Sequence, residues 1–127
     1  MPAAADADAA ARQAHMSART QARLWAAQRV SAMVLALCVL VHLVTLVYAV
    51  RGGLSAAEIL ERTRGSLAWG SFYTLFVLAV AVHAPIGLRA ILNEWFAMRG
   101  PALHLVVAAA AVAILALGLR AVWAVVA

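Results

Sequence analysis

Three uninterrupted apolar runs dominate this chain, at about residues 30–50, 67–92 and 103–127. At roughly 1.5 Å per residue, each helical run spans the ~30 Å hydrocarbon core of a bilayer. Two thirds of the 127 residues are hydrophobic and the mean hydropathy is +0.96. A soluble domain of this size has too little interior to bury so much apolar surface, whereas a membrane protein has no need to. The expected fold class is therefore all-α, with three transmembrane helices at about residues 26–50, 67–92 and 103–126. Residues 1–23 read as a polar, disordered cytosolic tail, and 24–127 as one transmembrane domain.

The net charge of +5 comes from ten arginines and no lysine. Six of them, Arg12, Arg19, Arg23, Arg29, Arg89 and Arg99, fall before the first span or around the second loop, against Arg51, Arg62 and Arg64 in the first loop. That bias places the N-terminus in the cytoplasm, by the positive-inside rule. Nothing combines a basic patch with aromatic platforms, so nucleic-acid binding is not expected. Cys38 is the one cysteine, which excludes an intrachain disulfide and a C-x-x-C-H site for covalent haem.

Ser31, Cys38, His42 and Thr45 follow one another at steps of seven, four and three, which puts them on one helix face. That face should meet other helices. The first loop, "RGGLSAAEILERTRGS", carries a short amphipathic piece with Glu58 and Arg62 at i,i+4. Trp25, Trp69 and Tyr73 read as interface residues. Pro85 removes a backbone donor within the second span, and a kink near His83 is expected.

His42 and His83 are the two histidines that stand inside spans, with almost no other ionisable group there. Each is a packing or proton-relay group or a metal ligand, and two in so short a chain favour ligation. Neutral imidazole ligates haem iron, and a membrane interior suits an apolar porphyrin. Counting from Arg29 and Arg89, His42 lies roughly 20 Å and His83 roughly 9 Å from the same membrane face. The two rings should then not face one another across a single iron, and each haem would take its second ligand from another chain. Gly87, one turn after His83, would let a porphyrin approach the helix. His15 and His104 read as surface or interface residues, and Cys38 as packing.

Arg29 and Arg89 stand at the mouth of the spans. They either snorkel to lipid phosphates or place positive charge beside a quinone headgroup, whose reduction passes through an anionic stage. Ser31, Glu94 and Trp95 lie at similar depth and would donate hydrogen bonds or, for Glu94, relay a proton.

"QRVSA", then "HAPIGLRAILNEW", then a third apolar helix resembles the membrane-anchor cytochrome b subunits of succinate dehydrogenase and fumarate reductase, over about residues 24–126. In those anchors the first helix opens with an H-R-x-[ST]-G-like motif, and the second ends in H-x-x-x-G-[LI]-R followed by an acidic residue. The resemblance implies an axial haem b ligand at His83. It implies a quinone site drawing on Arg29 and Ser31, with Glu94 at the acidic position. Trp95 stands where a quinone-bonding tyrosine is common, Gln28 where histidine is, and Ala32 where glycine is. His42 matches the helix I ligand of two-haem members. The "H-A-x-I-G" spelling is similar to the smaller anchor chain and "G-L-R" to the larger, and both remain open.

What the resemblance implies is half of a shared anchor bundle in a bacterial cytoplasmic membrane. The bundle would hold flavoprotein and iron–sulfur subunits and share one haem b, or two, with a second anchor subunit or a copy of itself. Electrons would pass between the iron–sulfur subunit and membrane quinone, the substrate. This chain alone has no flavin motif or cluster cysteines and would be a non-catalytic subunit. The alternatives are a non-redox helical scaffold or transporter component with packing histidines, and a haem subunit of another quinone-linked dehydrogenase.

Overall fold

The computed structural model describes residues 2–127 in four helices: α1 (Pro2–Arg51), α2 (Ala56–Thr63), α3 (Leu67–Phe96) and α4 (Pro101–Val126). The side chains of Arg12 and His15 lie outside the described residues. Three helices, Ser17–Arg51, Leu67–Phe96 and Pro101–Val126, are long and apolar enough to cross a membrane. The chain is an integral, multi-pass membrane protein.

α1 differs from the sequence expectation. Residues 2–23, read as a disordered tail, continue the first helix for 50 residues in all, a rod of about 75 Å. Alanine is the best helix former and crowds this stretch, and Pro2 sits at the first helical position, where its missing N–H costs nothing. A rod of that length reaches well beyond a ~45 Å bilayer. Its C-terminus is set by the Gly52–Gly53 pair. Gly53 adopts φ 63°, and Gly53 N–H and Leu54 N–H return to the carbonyls of Val50 and Ala49 at 3.1 and 3.0 Å, a Schellman closure.

α2 begins at a capping box. Ser55 N–H donates to Glu58 Oε2 at 2.7 Å, and Glu58 N–H donates to Ser55 Oγ at 3.3 Å. The Ser55 N–H and the Ser55 hydroxyl, which also donates to Glu58 Oε2 at 2.8 Å, hold the Glu58 carboxyl below its ordinary range, with a smaller contribution from Arg62 one turn on. At its other end, the buried Thr63 hydroxyl donates to Val125 O at 2.8 Å, and Gly65 N–H donates to Val126 O at 2.7 Å. Both acceptors belong to the last turn of α4, whose carbonyls have no partner within the helix. The first loop thus caps the end of the third span.

α3 is the central helix, packed on α4 and on α1, while α2 rests on α4. It runs unbroken through the buried Pro85. It also continues to Phe96, a turn beyond the expected end at residue 92, so Glu94 and Trp95 belong to its last turn rather than to a loop. Contacts between helices rest on small residues. Cys38 and Ala79 are buried, and a Cβ added to Gly118 would strike both methyls of Val77 at 2.6 and 2.9 Å. Most large apolar side chains remain exposed, as lipid-facing residues do.

Candidate functional site

The polar stripe of α1 does face α3. Ser31 and Cys38 are buried, and His42 and Thr45 are half-buried. It contributes to two separate polar stations.

The first station joins Gln28 and Ser31 of α1 to His83 and Gly87 of α3. Ser31 Oγ lies 3.1 Å from the Gln28 carbonyl oxygen and 3.3 Å from His83 Nδ1. Gly87, expected to clear space for a porphyrin, is already approached by α1. A Cβ there would stand 3.4 Å from Gln28 Nε2. That is an ordinary van der Waals distance, so the α1–α3 packing leaves room for a methyl group there. Gln28 Oε1, on the same side chain, is buried and has no hydrogen-bond partner.

The second station lies deeper. Tyr73 Oη approaches His42 Nδ1 at 3.4 Å, and Thr45 bonds the His42 carbonyl at 2.8 Å. The Tyr73 and Phe76 rings meet the imidazole edge-on, with centroids 5.9 and 6.0 Å away, and Trp69 stacks on Tyr73 at 5.8 Å. Two apolar clefts of about 350 and 400 Å³ share His42, Tyr73 and Val125 in their walls, and Arg62 lines the larger one. Trp69 and Tyr73, read from sequence as interface residues, also belong to this ring cluster. The i,i+4 spacing of Trp69 and Tyr73 could have signalled the stack, but only the fold brings His42 to it.

The stations are well separated. His42 is 11 residues beyond Ser31 on α1, about 16 Å, and Tyr73 is 10 residues before His83 on the antiparallel α3, about 15 Å. The imidazoles of one chain do not face each other.

Within the single chain the expected quinone residues have separate partners or are exposed. Ser31 is only 6% exposed and its oxygen is engaged. The Arg29 guanidinium lies over the Trp25 ring at 5.2 Å, a cation–π contact. Arg89 Nη1 stands 3.3 Å from His104 Nδ1, so His104 has a specific partner that its position in the sequence did not disclose. Glu94 and Trp95 are exposed, the latter at 80%. Among the described residues, no three His, Cys, Asp or Glu side chains converge as a metal site. An axial haem ligand needs only one imidazole from this chain. His83 fits that demand, since a ligating histidine characteristically gives its other ring nitrogen to an oxygen partner, here Ser31.

No curated protein matches the chain, and no solved structure does. One family model does match, over residues 9–120, which take in nearly all of α1, the whole of α2 and α3, and most of α4. With three apolar spans arranged around a central α3, the chain belongs to the succinate dehydrogenase/fumarate reductase transmembrane subunit family.

Proposed function

We propose that this subunit anchors the flavoprotein and iron–sulfur subunits of a succinate dehydrogenase or fumarate reductase complex, provides an axial ligand to haem b, and helps form the quinone site. The observation that carries this reading is His83. It is an imidazole inside a span, half-buried at the α1–α3 interface, with one ring nitrogen held by Ser31. Haem b, when bound, supplies a one-electron carrier within the membrane. A second ligand to the haem would come from another chain, because this chain's other intramembrane imidazole is about 15 Å away along the helices.

With the N-terminus cytoplasmic, the first station lies towards the face that receives the soluble subunits. The start of the first span and the last turn of α3 share that face, and so do Arg29, Arg89, Glu94 and Trp95. The quinone headgroup binds there, between this chain and its partners, with the exposed Glu94 able to exchange protons with water. Arg29 and Arg89 supply the positive potential that favours a developing negative charge on the quinone oxygens. The long N-terminal part of α1 extends towards the same subunits.

Spectra of the purified complex test the reading. Dithionite reduction should bring up a b-type α-band, and His83→Ala should abolish it while the three-helix subunit remains in the membrane. A complex without that band, or full haem content in His83→Ala, overturns the assignment.

A further inference from the structure

The two intramembrane histidines differ in the protons that their neighbours leave them. A serine hydroxyl has one hydrogen. Ser31 Oγ is 3.1 Å from the Gln28 carbonyl, which can only accept, so the hydroxyl hydrogen lies between those oxygens. Turning it towards His83 would set the Ser31 Oγ lone pairs against the Gln28 carbonyl oxygen at 3.1 Å. Ser31 must therefore accept from its other neighbour, and His83 Nδ1 carries the proton. In a neutral imidazole that leaves the lone pair on Nε2.

At His42 the count runs the other way. The phenolic hydrogen of the half-buried Tyr73 has His42 Nδ1 as its acceptor at 3.4 Å. Were Nδ1 the donor, that hydrogen would be left unpaired among Trp69, Phe72 and Phe76, at the cost of desolvating it for nothing. Tyr73 therefore donates to Nδ1, and the hydrogen of His42 sits on Nε2. Neither ring nitrogen of His42 then offers a free lone pair.

We infer that these two hydroxyl partners select between the histidines: Ser31 is a positioning residue that presents His83 Nε2 to iron, and Tyr73 holds His42 in the tautomer that cannot ligate. This rests on the haem reading of His83 given above. Its consequences are that the chain serves one haem rather than two, and that Ser31 acts on the axial ligand instead of on quinone. The Nδ1–H···Oγ bond also makes the imidazole a more basic ligand, which favours the oxidised iron and lowers the midpoint potential.

The test uses the whole complex in detergent. Pyridine haemochrome should give one haem b per complex in the wild type, and His42→Ala and Tyr73→Phe should both keep it. Ser31→Ala should retain haem but raise the midpoint potential. A tenfold loss of preference for the oxidised form corresponds to ~59 mV for one electron, and Ser31→Thr should restore the wild-type value. The inference is overturned by two haems per complex, by haem loss in His42→Ala, or by an unmoved potential in a haem-loaded Ser31→Ala. Should Ser31→Ala fail to assemble, ¹⁵N spectra of the histidine-labelled wild-type complex decide, with the His42 signals assigned by their absence in His42→Ala. Hydrogen on Nε2 supports the inference, and hydrogen on Nδ1 overturns it. A wild-type complex with no b-type band refutes the haem reading itself, an outcome distinct from a band whose potential ignores Ser31.

Discussion

Replacing Gly118 with alanine puts a close contact between α3 and α4 under strain. The new Cβ would lie 2.6 and 2.9 Å from the two methyls of Val77 and 3.3 Å from its Cβ. Valine in a helix holds one strongly preferred χ1, so rotation offers no escape, and both methyls are already in the way. The backbones of α3 and α4 must separate instead. Overpacking of this kind costs ~1–3 kcal/mol, and alanine's better helix propensity returns ~1 kcal/mol of that. The net expectation is a loss of ~0–2 kcal/mol, too close to zero at its lower end to stand alone. A double-mutant cycle with Val77→Ala removes that ambiguity. Val77→Ala should destabilise the wild type by opening a gap, yet be neutral or stabilising in the Gly118→Ala background, with a coupling of ~1–3 kcal/mol. Thermal denaturation of the detergent-solubilised complex, following loss of the assembled form, reads all four corners of the cycle. Additive single effects, with Gly118→Ala melting above the wild type, would refute the close α3–α4 approach at this position.

Other perturbations act at the ends of the helices. Thr63→Val keeps the shape of the side chain but leaves the Val125 carbonyl without its 2.8 Å partner, an expected loss of ~1–3 kcal/mol. It should appear as faster hydrogen exchange and proteolysis in the last turn of α4. The Glu58 carboxyl titrates below its ordinary value because Ser55 binds its charged form, so the capping box is intact above the unfolded carboxylate range and is lost as pH falls through the lowered folded value. Amide exchange in residues 55–59 should rise on acidification over that window, and Glu58→Gln should remove the pH dependence. Gly87→Ala should be nearly neutral, since its Cβ would only touch the Gln28 amide at 3.4 Å. Gly87→Leu should push α1 from α3 and weaken haem retention, read from the α-band per complex.

The contrast between what was legible and what was not follows from range. Three spans, their approximate limits, the amphipathic α2 and the inward face through Ser31, Cys38, His42 and Thr45 all follow from residue type and helical period, which are local properties. The family was also legible, because the Gln28–Ala32 and His83–Trp95 motifs lie within single helices. Two local readings fell short. Polar composition suggested a tail where alanine propensity carries α1 back to Pro2, and the second loop was begun a turn early although nothing from Asn93 to Phe96 breaks a helix. Helical rise separates the two histidines by roughly 10 Å when counted from Arg29 and Arg89, and by about 15 Å when counted along α1 and α3 from the pairings with Ser31 and Tyr73.

The sequence by itself determined that this chain crosses a membrane three times and carries two imidazoles at different depths, because apolar run length and rise per residue suffice for both. Only the tertiary structure decided their partners. Ser31 and His83 are 52 residues apart, and Tyr73 and His42 are 31 apart. A hydrogen bond that sets a tautomer depends on a few tenths of an ångström between helices, and no spacing along one strand of sequence encodes that distance.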